Sequence, residues 1–153
     1  MAEPLRKFLD TQEGPSGQIA ALARATEDMD ADVRNNALRA LWILAMDSTE
    51  AAAEIPGQDF VQMLNSRNWH DRNKAGSLLT SITVSRPRQL LERLRTTALP
   101  SLIEMAQWEN PGHAYSYRVL LGRIAGLDDA QIQNLIATSR MNEIIAAARQ
   151  HAW

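Results

Sequence analysis

The sequence predicts an all-α protein, a right-handed superhelical α-solenoid of about three repeats closed by a C-terminal helical cap. Two observations carry this. The first is an apolar stripe that recurs. Val33, Ala37, Ala40, Leu41 and Leu44 have the spacing that buries one face of a helix. Thirty-eight residues on, the same places hold Asp71, Ala75, Leu78, Leu79 and Ile82, and 42 further on they hold His113, Tyr117, Leu120, Leu121 and Ile124. The second is a shorter helix ahead of each stripe, marked by Leu22-Ala23, Phe60-Val61 and Leu102-Ile103 at matching offsets. Composition agrees, with abundant alanine and leucine, sparse glycine and no β-branched runs.

The elements follow in order. Pro4–Asp10 can form one short helix, and Gly14-Pro15-Ser16-Gly17 reads as a break. Gln18–Thr26 is the first leading helix, and Asp30 is placed to cap a long helix running to about Met46. Asp47 and Glu50 have capping-box spacing for a short helix through Glu54. After Pro56-Gly57, Gln58–Leu64 is the second leading helix and Trp69–Thr83 the second long one. Arg86-Pro87-Arg88 is another break, followed by a short basic helix over Gln89–Arg95.

Pro100–Trp108 is the third leading helix, with proline in its first turn. Asn110-Pro111 reads as cap and first residue of the third long helix, which runs to about Ala125. Gly126-Leu127 has the form of a Schellman close. Asp128 and Gln131 pair as another capping box, opening two closing helices over Asp128–Ala137 and Ser139–His151. The whole is expected to be a single domain, 1–153. An N-terminal segment (1–15) precedes repeats 16–47, 55–84 and 98–127 with short connecting helices, and capping helices fill 128–153.

Several residue patterns here resemble a known family. Asp30-Ala31-Asp32-Val33-Arg34-Asn35-Asn36-Ala37-Leu38-Arg39-Ala40-Leu41 resembles the second helix of a HEAT repeat, with its acidic turn, Val-Arg pair and helically spaced alanines. Ile55-Pro56 with Phe60–Leu64, and Leu99-Pro100 with Leu102–Met105, look like first helices. The short extra helices near 48–54 and 88–96 add an armadillo character. The likeness covers about 16–127. It departs at Asp71, where valine is absent, and at His113-Ala114, where neither valine nor arginine remains. The HEAT/armadillo-like resemblance implies an interaction scaffold for macromolecules, docked on a face lined by the second helices. Fold alone does not confer a function.

The chain of 153 residues has 45% hydrophobic and 22% charged residues, which is ordinary for a globular domain and excludes wholesale disorder. Its formal charge of −2 argues against a protein that coats nucleic acid. That value hides an asymmetry. Residues 1–60 hold 11 acids and 5 bases, whereas residues 61–127 hold 4 acids and 9 bases, a pattern suited to an acidic partner. The absence of cysteine excludes disulfides and thiolate chemistry. Met1-Ala2-Glu3-Pro4 does not read as a signal peptide, and no apolar run is long enough to span a membrane. The default expectation is therefore a soluble, cytoplasmic protein.

No nucleotide-binding, hydrolase or metalloprotease motif is present. His70, His113 and His151 lack the spacing and carboxylate partners of a zinc site. The expectation is a non-enzymatic protein- or peptide-binding scaffold with no cofactor and no metal. The richest segment is Arg67–Lys74. There Trp69, His70, Arg72, Asn73 and Lys74 sit at an inter-helix turn, and Trp108 closes the equivalent turn one repeat later. With Tyr115 and Arg39 they form the candidate partner-binding edge. Competing structural roles are a helix start capped by His70 or Asp71, an Arg72 pair with an acid such as Asp32, and tryptophans that merely seal the core.

A second face of the long helices also bears weighing. It reads Asn35, Arg39, Trp42 and Met46, then Asn73, Ser77, Thr80 and Val84, then Tyr115, Val119, Gly122 and Gly126. It faces either a groove or a neighbouring layer. The alternative function is a nucleic-acid-binding module using Arg86, Arg88, Arg93 and Arg95, with Arg88 also spaced to pair with Glu92.

Overall fold

A computed structural model describes residues 14–151. The short helix expected over Pro4–Asp10 lies outside the described residues. Helix makes up 82% of the structure and no strand occurs among the described residues, so the protein is all-α. The described residues divide after Pro56 into two compact units.

The first unit holds α1 (Gly14–Ala25), α2 (Ala31–Asp47) and α3 (Thr49–Glu54). Ala37, Leu38, Leu41 and Ala45 are the buried residues of α2, and Ile19 is buried on α1. Val33, first in the expected stripe, is exposed. Asp30 caps α2 as expected, its carboxylate accepting from the Asp32 and Val33 amides at 2.8 and 3.4 Å. Two expectations fail here. Gly14-Pro15-Ser16-Gly17 is the first turn of α1 rather than a break, since proline suits a position whose amide has no helical partner. The cap of α3 is Ser48, whose hydroxyl accepts from the Ala51 amide at 3.1 Å, rather than Asp47.

The second unit holds α4 (Gly57–Phe60), a 3-10 turn (Val61–Asn65), α5 (Trp69–Ile82), a 3-10 turn (Thr83–Ser85), α6 (Arg88–Ala106), α7 (Pro111–Ile124), α8 (Asp129–Ala137) and α9 (Met141–Gln150). Helix α7 is the centre of packing, in contact with α5, α6, α8 and α9. Tyr117, Leu120, Leu121 and Ile124 on α7 and Ala75, Leu78, Leu79 and Ile82 on α5 are buried, as their spacing predicts. The expected leading helix Gln58–Leu64 is instead one α-turn running into a 3-10 turn.

The larger correction concerns α6. The separate helices expected at Gln89–Arg95 and Pro100–Trp108 form one continuous helix, with Pro100 in its interior. The repeat boundary placed at residue 98 therefore falls inside a helix. Proline removes an amide and crowds the preceding turn. Asn65 braces that turn from outside. Its side-chain amide donates to the Thr97 carbonyl at 3.0 Å and its carbonyl accepts from the Ser101 hydroxyl at 2.6 Å. Asn65→Ala is expected to cost about 1 kcal/mol, read as a lower urea midpoint at unchanged slope.

The chain closes with paired helix stops. Gly126, at φ 73°, ends α7, with the Leu127 amide bonded to the Gly122 carbonyl and the Gly126 amide to the Arg123 carbonyl, both at 3.0 Å. This is the Schellman geometry expected there. Asp128 and Gln131 form the reciprocal capping box. A second Schellman close follows at Ser139, φ 56°, so α9 begins at Met141 rather than at Ser139.

Candidate functional site

The turn before α5 is built by short polar side chains. The Ser66 hydroxyl accepts from the Asn68 amide at 3.0 Å, and Asn68 caps α5 by accepting from the His70 amide at 2.9 Å. The cap is thus Asn68, neither His70 nor Asp71. Asp71 turns inward and is buried, with the Ser66 hydroxyl 3.3 Å from its carboxylate. This leaves Trp69 as the first residue of α5, with 39% of its surface exposed.

Trp69 and Trp108 come together, as their places at corresponding turns of the sequence suggest. Their rings stack with centroids 6.4 Å apart and 25° between planes. His70 and His113 both meet the Trp69 ring edge-on, at 5.2 and 5.0 Å. Behind them Trp108 lies edge-on to Tyr117 at 5.7 Å. The Arg72 guanidinium sits 5.5 Å from the centre of the Trp108 ring. It pairs with Glu104 at 3.2 Å, rather than with Asp32, and donates to the Met105 sulfur at 3.2 Å. Aromatic side chains thus run outward from fully buried Tyr117, through half-buried Trp108, to exposed Trp69.

Tyr117 anchors the inner end. Its hydroxyl donates to the Arg72 carbonyl at 3.1 Å. Burial pushes its phenol up to about 12 from an ordinary 10.0, with the nearby Arg72 charge opposing. The folded pKa is raised, so this stabilisation is complete below pH 10 and is lost as pH climbs from about 10 to 12. A loss of about 2–3 kcal/mol across that window is expected. Tyr117→Phe should lack that step when unfolding free energy is measured against pH.

Within the second unit, the other expected residues do not join the cluster. Tyr115 is exposed, and its hydroxyl accepts from Gln133 on α8 at 2.9 Å. Asn73 and Lys74 are half-buried on α5 without a ring contact, and Arg39 is exposed in the first unit. Conversely, sequence reasoning did not place Glu104, Met105 or Tyr117 at the site, and saw in His113 only a residue that could approach His70. Their one usable signal is the offset of 42 residues, which sets Pro111-Gly112-His113 opposite Trp69-His70-Asp71.

The arginines of the middle segment divide. Arg86 donates to the Leu127 carbonyl at 2.6 Å and pairs with Asp129 at 2.7 Å. Arg95 pairs with Glu92 at 2.9 Å, which replaces the expected Arg88–Glu92 bond. Arg88 and Arg93 are exposed, with no ion pair to another described residue. Among the described residues no group of three or more His, Asp or Glu could hold a metal ion, and no helix is long and apolar enough to cross a membrane. A depression on α8, lined by Leu127, Ala130, Gln131, Asn134 and Leu135, offers no acid, base or nucleophile.

No protein-family model matches the chain, and no curated protein matches it. Among solved structures it is similar to an engineered protein determined by the Northeast Structural Genomics Consortium. The likeness has a TM-score of 0.58 at 19% identity and covers 90% of this chain. The chain spans 66% of that protein's length. At this identity the likeness extends to the fold alone.

Proposed function

We propose that this chain is a non-enzymatic protein- or peptide-binding module of the HEAT-like α-solenoid type, docking its partner at the Trp69 edge. The carrying observation is a tryptophan held at the surface. Trp69 is 39% exposed, yet its ring is fixed by Trp108, His70 and His113. A pre-ordered exposed aromatic loses little freedom on binding, which suits a hot spot. The repeat reading is supported by the recurring stripe and by the packing of α5 on α7.

Trp69→Ala tests this. Since much of the ring already meets water, unfolding free energy should fall by only about 1–2 kcal/mol, short of the roughly 3–5 typical of buried aromatics. Partners captured from a native lysate by the wild-type chain should be lost. Lost folding with every partner retained by the folded fraction would refute the docking role. Steeply salt-dependent binding to duplex DNA that survives Trp69→Ala would support the nucleic-acid reading through Arg88 and Arg93 instead.

A further inference from the structure

We infer that Tyr117, Trp108 and Trp69 form a path along which an electron vacancy leaves the core, making Trp69 the residue where one-electron oxidation of the second unit ends. This is a modification site, and it stands independently of the docking role. The three rings follow one another, with centroids 5.7 Å apart from Tyr117 to Trp108 and 6.4 Å from Trp108 to Trp69. Aromatic rings this close exchange an electron readily. The vacancy then rests where a positive charge costs least.

Each step outward lowers that cost. Tyr117 is fully buried, where a charge is poorly solvated. Its hydroxyl donates to the Arg72 carbonyl, an amide oxygen too weakly basic to take the proton that an oxidised phenol must shed. Trp108 is half-buried, with the Arg72 guanidinium 5.5 Å from its ring centre. That cation favours the neutral ring and opposes a positive charge on it. Glu104, paired with Arg72 at 3.2 Å, offsets only part of this field, because the Glu104 side chain is 62% exposed and that of Arg72 only 16%. Met105, also oxidisable, is fully buried and its sulfur accepts from Arg72. Trp69 meets water over 39% of its surface and has the imidazoles of His70 and His113 beside it.

A diffusing one-electron oxidant, such as the carbonate radical anion, takes an electron from Trp108 and is itself reduced. Trp69 passes an electron to the Trp108 radical cation and becomes the radical cation in its place. It then releases its indole N–H proton to water or to an adjacent imidazole, which leaves a neutral radical at the surface. A radical that would otherwise persist in the packing between α5 and α7 is thereby delivered to solvent.

The test uses the full chain and azide radical made by pulse radiolysis, which oxidises tryptophan to the indolyl radical and is reduced to azide. Trp69→Tyr replaces the end of the path with a ring whose phenoxyl radical absorbs separately from indolyl. In that variant indolyl absorbance is expected to decay into phenoxyl absorbance several-fold faster than in Trp69→Phe, at a rate independent of protein concentration. Adding Trp108→Phe to Trp69→Tyr should abolish the difference. If that double variant does not fold, the comparison of the two single variants still decides, since Trp69 lies at the surface. Direction is read with a nitroso spin trap, which bonds to the indolyl radical and is located by peptide mass spectrometry. The wild-type chain should carry the trap several-fold more at Trp69 than at Trp108, and Trp69→Phe should move it to Trp108. Equal decay rates in the two Trp69 variants, a rate that scales with protein concentration, or a difference that survives Trp108→Phe overturns the path. Equal trapping at both tryptophans, or trapping at Trp108 unchanged by Trp69→Phe, overturns its direction.

Discussion

Replacing Arg123 by alanine is expected to lower unfolding free energy by about 3–5 kcal/mol. Arg123 is 6% exposed on the inner side of α7. Its guanidinium donates to the Thr80 carbonyl and, at 2.9 Å, to the Thr83 hydroxyl, while its Nε lies 3.7 Å from the Asp129 carboxylate. A cation is therefore set on the last carbonyls of α5, where the helix dipole favours it. The same carboxylate takes Arg86, which also bonds the Leu127 carbonyl. One acid at the start of α8 thus draws together the end of α5 and the body of α7.

Burial alone would lower the Arg123 pKa, and Asp129 opposes that fall. Alanine would remove the Arg123 donors to the Thr80 carbonyl and the Thr83 hydroxyl, leaving Thr83 bonded only within its own turn, and would leave a void. Urea unfolding at neutral pH measures the loss, with Arg88→Ala as a control expected within about 0.5 kcal/mol of wild type. A loss under about 1 kcal/mol for Arg123→Ala would show that the network does not hold these helices.

What could be read from the sequence and what could not divide by distance along the chain. Asp30, Asn110, Gly126-Leu127 and Asp128 with Gln131 act on amides or carbonyls within a few residues, so their roles are visible in local spacing. That Trp69 and Trp108 lie on one edge was legible too, from their places at corresponding turns, but not that their rings stack. Pro100 was misread because proline reads locally as a helix start, while the side chain that braces its turn, Asn65, lies 36 residues from Ser101. The middle arginines look alike in sequence. Only the fold shows that Arg86 meets Asp129 across 43 residues while Arg88 forms no ion pair with another described residue. Tyr117 carried the apolar-stripe signal and was expected simply as core. Its hydroxyl bond to the Arg72 carbonyl, which ties core to site, has no local signature.

Gly76→Ala is expected to destabilise the protein by about 3 kcal/mol or more, although alanine is the better helix former by roughly 1 kcal/mol. Gly76 lies in the middle of α5, and there is no backbone reason for glycine there, since its φ is helical. The reason is Tyr117. A Cβ at position 76 would lie 2.4 Å from Tyr117 Cε1 and 2.9 Å from Cζ. The ring cannot retreat, because it is fully buried, its hydroxyl is bonded to the Arg72 carbonyl, and Trp108 stands against it. Relief would have to come from separating α5 from α7, the two helices that carry Trp69 and His113.

A double-mutant cycle isolates this cause. In a Tyr117→Ala background the Gly76→Ala cost should vanish or reverse to a gain of about 1 kcal/mol, because only helix propensity then remains. The indole resonance of Trp108 should shift in Gly76→Ala alone, as Tyr117 is forced against it. A neutral or stabilising Gly76→Ala in the wild-type background would mean that the α5–α7 contact yields easily. The Trp69 edge would then lack the rigid support on which its proposed binding role depends.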